Sequence, residues 1–140
     1  IEVCNFGYLT KGGYYKRING KNVFIEKESN QFYTYVGTLA SRCQIVELKK
    51  EFRGYKFWQR YSDKQLDTLQ KNLKYIGERD NIDIRRGLPD LIRDKGADAF
   101  DVCNVEMCNN TRGLWSHTNV RTTKFDMFPQ DELLDMLLSL

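Results

Sequence analysis

The spacing of hydrophobic residues changes character near residue 62. Upstream of it, apolar and aromatic residues occur in short runs separated by Gly, Asn and charged residues, which is typical of short β-strands. Downstream of it, Leu66, Leu69, Leu73 and Ile76 recur at the three- and four-residue intervals of an amphipathic helix. The pattern therefore predicts mainly strands in the first part of the chain and mainly helices in the second.

A β-hairpin is predicted around the dipeptide Asn19-Gly20. Runs rich in aromatic and β-branched residues flank it at 14–18 and 22–26, and both Asn and Gly readily adopt positive φ. A third strand is predicted at 32–36. The many aromatic side chains of this region either pack a small exposed sheet, which is the commoner arrangement, or stack on a carbohydrate or peptide.

The opening run IEVCNFG predicts a β-strand that is already in progress, because Val3 and Phe6 favour strands and Gly7 ends the run. Since the first residue is Ile, we expect an earlier part of the protein to precede it. Glu2 is then a carboxylate on a central strand, where an acid is rarely buried without a partner. A structural ion pair and a site role are both open for it.

Further strands are predicted at 44–48 and 55–58. The sequence SDKQ from Ser62 is a capping box, which predicts an amphipathic helix over 63–78. A second helix is predicted over 88–95, with Pro89 in its first turn and Gly96 as its stop.

The last forty residues predict a loop at 101–112 and a short strand at 114–117, which would bring His117 to a sheet edge. A final helix is expected to open at Pro129 and to face the core with four leucines, which are Leu133, Leu134, Leu137 and Leu138. Strands and helices mixed in this order predict an α/β fold.

Composition places the chain among ordinary globular domains. It has 140 residues, 16.5 kDa, 41% hydrophobic and 29% charged residues, which suits one domain with a genuine core. No run has the length of a membrane span, and we expect no signal peptide. The 22 basic and 19 acidic residues are scattered, so neither a basic stripe nor nucleic-acid binding is predicted. Four cysteines allow two disulfides or none, and reduced thiols are favoured.

Three chemically active groups lie within ten residues in the irregular segment 113–129. The only histidine, His117, is followed by Lys124 and Asp126, and a loop can bring all three to one point. Zinc binds imidazole nitrogen and carboxylate oxygen at about 2.0–2.2 Å, and a nearby ammonium would stabilise an oxyanion. The grouping therefore suggests a metal-dependent hydrolase site. A structural or surface histidine is the commoner alternative.

Three stretches together resemble a known family. IEVCNFG, RGYKFWQRYSDKQLDTLQKNL and GLWSHTNVRTTKFDMFPQDELLDML are similar to the zinc-dependent N-acetylmuramoyl-L-alanine amidases of phage endolysins, bacterial recycling amidases and peptidoglycan-recognition proteins. The resemblance covers nearly the whole chain. Its most specific part is a His followed by Lys-x-Asp before a Pro and a terminal helix. It implies a mixed central β-sheet flanked by helices, with a small β-hairpin insertion at about 10–38.

The resemblance also implies roles for four residues. His117 and Asp126 would be Zn²⁺ ligands, and Lys124 would stabilise the tetrahedral intermediate. Glu2 would act as general base for the zinc-bound water and pass its proton to the leaving amine.

The reaction so implied is hydrolysis of the amide between N-acetylmuramic acid and the L-alanine of the stem peptide, at the bacterial cell wall. Trp115, Asn119 and Arg121 flank the histidine and are expected to contact sugar or peptide. The expected partner is therefore peptidoglycan or a muropeptide.

One feature departs from the family pattern, because these amidases use a further histidine from an early strand and this chain has one histidine. We expect the missing ligand in an amino-terminal portion or on a separate chain, so that residues 1–140 form the carboxy-terminal part of one amidase-like domain. The alternatives are a non-catalytic peptidoglycan-binding module and a structural component of a larger, phage particle.

Overall fold

The computed structural model describes Ile1 and residues 3–140. Within it the chain forms two compact units. The β unit is Cys4–Arg60, and the helical unit is Tyr61–Leu140 together with Ile1–Val3, of which Glu2 lies outside the described residues. The chain is thus mixed α/β, as predicted, with small antiparallel sheets and helices.

The strands of the β unit pair in three separate two-stranded antiparallel sheets. These strands are β1 Leu9–Lys11, β2 Gly13–Ile18, β3 Lys21–Glu26, β4 Phe32–Thr34, β5 Ile45–Phe52 and β6 Tyr55–Gln59. β1 pairs with β4, β2 with β3 and β5 with β6. The described strands therefore form separate antiparallel pairs and not the single mixed central sheet that was expected. Short turns join β2 to β3 and β5 to β6, whereas the β2–β3 hairpin lies between β1 and β4 in the chain.

The predicted hairpin is confirmed. Ile18 of β2 pairs with Lys21 of β3, which leaves Asn19 and Gly20 as a two-residue loop. Both loop residues have positive φ, 49° and 79°, as a tight turn of this length requires. The predictions at 44–48 and 55–58 are also confirmed by β5 and β6, whereas the strand predicted at 32–36 ends earlier, at Thr34.

The opening strand prediction was wrong for the described part of IEVCNFG. Residues 3–7 are irregular, and side-chain bonds hold them beside β6. Asn5 donates from Nδ2 to the carbonyl of Gln59 at 2.7 Å, and the Gln59 side chain accepts from the backbone of Phe6 at 2.8 Å. Together with one backbone bond, from Gln59 N to Gly7 O at 2.8 Å, they hold residues 5–7 beside β6 without a regular strand ladder. The prediction that Glu2 lies on a central strand falls outside the described residues.

Aromatic rings form the core of the β unit. Trp58 is fully buried, and Tyr8 and Tyr55 each meet it edge-on. Tyr8 also stacks on Tyr55 with ring centroids 3.8 Å apart. Burial beside Tyr55 and Tyr35 raises the pKa of Tyr8 to about 12. Packing thus accounts for these rings, although not for every aromatic residue of the hairpin.

In the residues that the structure describes, the helical unit contains five α-helices. They are α1 Asp63–Arg79, α2 Leu88–Lys95, α3 Val105–Asn110, α4 His117–Val120 and α5 Asp131–Leu138. α1 and α2 confirm the two predicted helices, and the Ser62–Gln65 capping box forms as expected. The apolar stripe of α1 is buried through Leu66, Leu69 and Leu73. Its polar face is exposed.

The structure corrects two predictions about the later elements. The predicted loop at 101–112 contains α3, whose start is capped by the Asn104 side chain, which accepts from Met107 N at 3.0 Å. The last helix begins at Asp131 rather than at Pro129. Leu133 and Leu137 are buried as predicted, but Leu138 is exposed and Met136 takes its place in the core.

Within the described residues, no disulfide joins the four cysteines at positions 4, 43, 103 and 108. Cys4 and Cys43 are exposed. No helix in the described part of the chain combines the length and apolar character that crossing a membrane requires.

Candidate functional site

His117 and Asp126 are in direct contact. Nδ1 of His117 lies 2.5 Å from Oδ2 of Asp126. Their side chains are 58% and 50% exposed, so both are accessible to a ligand from solvent. The structure thus brings two of the groups that were predicted to converge into direct contact.

His117 lies on a tight turn. The strand that was predicted at this position does not form. His117 is the first residue of the one-turn helix α4, and Ser116 is its N-cap. Ser116 donates to the Asn119 carboxamide oxygen from its backbone at 3.1 Å and from Oγ at 2.7 Å. Local side-chain bonding of this kind competes with extended structure, which explains why the strand prediction failed.

Asn119 anchors this turn in the helical unit. It is fully buried, and its Nδ2 donates to the carbonyls of Ala99 and Val102, both at 2.9 Å. Its carboxamide oxygen already accepts from Ser116. The side-chain groups of Asn119 are therefore committed to the fold. These bonds give Asn119 a structural role at the base of the turn, and its contact with substrate stays a prediction.

The segment that carries Asp126 is fixed to the start of α1. Two residues after the acid, Phe128 stacks on Tyr61 with ring centroids 4.7 Å apart and planes at 14°. Gln130 accepts from Tyr61 N at 2.7 Å and donates to Tyr61 O at 3.2 Å. All three residues are buried. Contacts with Tyr61 therefore fix the position of the backbone just after Asp126.

The pKa of the Tyr61 hydroxyl reflects its burial next to the segment 126–128. Burial raises its pKa far above 10.0, hydrogen bonds with the backbone of Met127 and Phe128 lower it in part, and the negative charge of Asp126 raises it further. The phenol is thus held neutral directly beneath the segment that carries the candidate ligand. Met127 has φ 62°, so the chain turns sharply at this point.

A parallel backbone contact fixes the other end of the site segment. Leu88 N donates to Leu114 O at 2.8 Å, and Leu114 N donates to Arg86 O at 3.0 Å. Gly87 sits between the two bonds with φ 87°, and an added Cβ would lie 2.5 Å from Leu114 O. Glycine is required there for its conformation and its lack of a side chain.

The other predicted site residues occupy different environments. Lys124 is half-buried within the loop between the two candidate ligands. Arg121 is exposed, and Trp115 is half-buried with its indole N–H bonded to Thr111 O at 3.0 Å. Glu2 lies outside the described residues.

Sequence reasoning missed Tyr61, Gln130 and Gly87. A signal existed for Tyr61 alone, because an apolar residue just before an N-cap commonly packs back onto its helix or its surroundings. The roles of Gln130 and Gly87 depend on contacts with backbone groups that are distant in sequence. The spacing of residues along the chain does not reveal such contacts.

The donor chemistry of the pair suits zinc in part. Two ligands, each about 2.0–2.2 Å from a tetrahedral zinc ion, are about 3.4 Å apart, so the ion would require the pair to separate by about 0.9 Å. Exposed side chains can do this by small rotations. Among residues 1 and 3–140, no third His, Cys, Asp or Glu completes a metal-binding group with them. The described residues therefore supply two donors.

Comparison with known proteins found no matching family model, no matching curated protein and no matching solved structure.

Proposed function

We propose that this chain acts as a zinc-dependent peptidoglycan hydrolase that cleaves the amide between N-acetylmuramic acid and L-alanine. The observation that carries the proposal is the contact between His117 and Asp126, which are nine residues apart and belong to different local structures. Two donors that suit zinc thus meet on an accessible surface. The family resemblance of the sequence supplies the reaction.

The proposal gives each residue a physical task. His117 and Asp126 hold the zinc ion together with a histidine supplied from outside this chain. When bound, zinc lowers the pKa of its water to about 7 and polarises the carbonyl of the amide. Lys124 stabilises negative charge on the carbonyl oxygen during attack. Glu2 takes the proton of the attacking water and delivers it to the leaving amine.

The proposal is supported by the buried residues that hold the backbone next to His117 and Asp126 in place. Asn119 fixes the turn below His117, while Tyr61 and Gln130 fix the chain just beyond Asp126. A hydrolytic site needs its ligands held by such buried supports, because small misplacements are costly in rate. The exposed side chains of His117 and Asp126 on buried supports are consistent with this requirement.

A non-catalytic peptidoglycan-binding module is the second candidate. The observation that favours it is that the exposed side chains of His117 and Asp126 bond directly to each other. In this case the contact between His117 and Asp126 would be a surface ion pair or hydrogen bond. Such an exposed pair contributes at most about 1 kcal/mol to stability.

The decisive experiment compares zinc binding and amide cleavage in a protein extended upstream of Ile1. We expect tight zinc binding and release of stem peptide from muropeptides. His117→Ala and Asp126→Ala should lose zinc, whereas Glu2→Gln and Lys124→Met should keep zinc and lose turnover by a factor of 100 or more, about 3 kcal/mol in the barrier. Lys74→Met on the exposed face of α1 is the matched lysine control.

The results separate the two candidates. Full turnover in both Glu2→Gln and Lys124→Met would exclude the mechanism. A binding module would instead retain muropeptide affinity in His117→Ala and contain no zinc by elemental analysis. Loss of muropeptide affinity on zinc removal would count against the binding module.

A further inference from the structure

Charge is divided unequally between the two units. The β unit contains eleven Lys and Arg residues against four Glu, hence a formal charge of +7. The rest of the chain contains eleven basic and fifteen acidic residues, hence −4. The modest total of +3 conceals this difference between the two units, which the sequence alone did not indicate because it does not show where the units divide. A basic unit of this size attracts polyanions.

Within the β unit, the hairpin β2–β3 concentrates both cationic and apolar groups at the surface. The hairpin contains three basic residues, Lys16, Arg17 and Lys21, and one acidic residue, and Lys11 and Lys27 flank it. All six are exposed. Four large apolar side chains of the hairpin are also exposed, namely Tyr15, Ile18, Val23 and Phe24. A two-stranded hairpin with apolar groups on its surface is marginally stable alone, so a ligand that covers them would stabilise it.

Each face of the hairpin combines the two kinds of group. Tyr15 pairs with Phe24 across the strands, with ring centroids 5.1 Å apart, and Arg17 lies two residues along on the same face. The opposite face carries Lys16 beside Val23, and Ile18 beside Lys21. Each face therefore carries at least one cation next to exposed apolar side chains.

We propose that the hairpin β2–β3 binds an anionic polysaccharide of the cell envelope. The cationic groups pair with the phosphate or carboxylate groups of the polymer, while the rings of Tyr15 and Phe24 pack on the apolar faces of its sugar or polyol units. The choice of a polysaccharide rests on the proposed function, which brings the chain to the cell wall. The tilt of 60° between the two rings also leaves no flat platform of parallel rings for successive nucleobases.

Binding of this kind has a distinctive dependence on salt. Each cation that neutralises an anionic group of a polyanion releases a condensed counterion, so affinity falls as salt concentration rises. Loss of a cationic contact therefore lowers both the affinity and the steepness of its salt dependence. Loss of an aromatic contact lowers the affinity and leaves the steepness unchanged.

The test measures binding of the full chain to purified poly(glycerol phosphate) teichoic acid by titration calorimetry at several salt concentrations. We expect binding that weakens steeply with salt, and no binding to neutral dextran. Lys16→Gln/Lys21→Gln should weaken binding at low salt at least about tenfold and flatten the salt dependence. The matched control, Lys64→Gln/Lys74→Gln, removes the same charge from exposed positions of α1 and should bind as the unsubstituted chain does.

A second variant, Tyr15→Ser/Phe24→Ser, should weaken binding without changing the salt slope, provided that Trp58 fluorescence shows an intact β-unit core. Equal binding by the hairpin and α1 lysine variants would overturn the proposal, and so would tighter binding of an oligothymidylate than of teichoic acid. Because His117→Ala leaves the hairpin unchanged, retained binding in that variant separates this surface from the hydrolytic site. Absence of amide cleavage with intact binding would then count against the proposed function alone.

Discussion

One buried side chain, that of Gln130, satisfies both backbone groups of Tyr61, 69 positions earlier in the chain. Its carboxamide oxygen accepts from Tyr61 N at 2.7 Å, and its nitrogen donates to Tyr61 O at 3.2 Å. This pairing joins the start of α1 to the segment that follows Asp126. The position of a candidate metal ligand thus depends on a contact between the two ends of the helical unit.

Replacing Gln130 should therefore destabilise the unit strongly. Gln130→Ala leaves the backbone N–H and C=O of Tyr61 buried without partners, at about 1–3 kcal/mol for each group. We expect a total loss of about 2–5 kcal/mol in the free energy of unfolding, measured by urea denaturation followed by circular dichroism. The control is Gln70→Ala, which removes one bond to Ser139 at an exposed site and should cost under about 1 kcal/mol. Equal costs for the two variants would contradict this account.

Gly87 should tolerate alanine less well than Gly96 does. Both have positive φ, 87° and 58°, so alanine is strained at either position. At Gly87 the new methyl group also lies 2.5 Å from Leu114 O, whereas at Gly96 it meets nothing within 4 Å. We expect Gly96→Ala to cost about 1–2 kcal/mol and Gly87→Ala at least about 2 kcal/mol more, from denaturation midpoints. Similar losses in stability for the two variants would show that the backbone contact between Gly87 and Leu114 adjusts to the new methyl group without strain.

Asn119 should prove a structural residue of the site. Asn119→Ala removes both acceptor bonds to Ser116 and both donor bonds to Ala99 and Val102 at a fully buried position. We expect a loss of about 3–5 kcal/mol in stability and disorder of the turn that presents His117, seen as a shift of the His117 imidazole resonances in NMR spectra. The surface variant Asn72→Ala on α1 should change neither quantity. A stable Asn119→Ala protein that failed only in substrate binding would favour the predicted contact with substrate over this structural role.

The helical unit should lose stability in alkali through Tyr61. Its pKa in the folded state is raised well above the value of 10.0 expected in the unfolded chain. Below pH 10 the stabilisation is fully present. Above it, the unfolded state releases its proton first, so the free energy of unfolding falls by up to about 1.4 kcal/mol per pH unit until the folded phenol also ionises.

Tyr61→Phe isolates this effect, because it keeps the ring stack on Phe128 and removes the ionisable group. Loss of its backbone hydrogen bonds should cost about 1 kcal/mol at neutral pH, and the variant should then lose less stability than the parent above pH 10. Parallel stability curves for the two proteins from pH 8 to 12 would refute the assignment. Tyr8 titrates in both proteins, so its contribution cancels in the difference.

Elements stabilised by neighbours in sequence were predictable. The hairpin follows from Asn19-Gly20, and α1 follows from the Ser62 capping box and the leucine stripe beyond it. Predictions failed where distant groups compete with local preference. The strand expected at 3–7 is displaced by bonds to Gln59, and the strand expected before His117 is displaced by the Ser116–Asn119 turn.

The sequence by itself determined the chemistry available to this protein, which is one imidazole, a lysine and an acid within ten residues, along with a basic, aromatic hairpin. Side-chain identity and short-range turn geometry need no tertiary information. Only the tertiary structure decided that His117 meets Asp126 while Asn119 is buried beneath them. The burial of Asn119 depends on bonds to Ala99 and Val102, and the contact between His117 and Asp126 joins two different local structures. The spacing of hydrophobic residues along the chain does not predict contacts between residues that are distant in sequence.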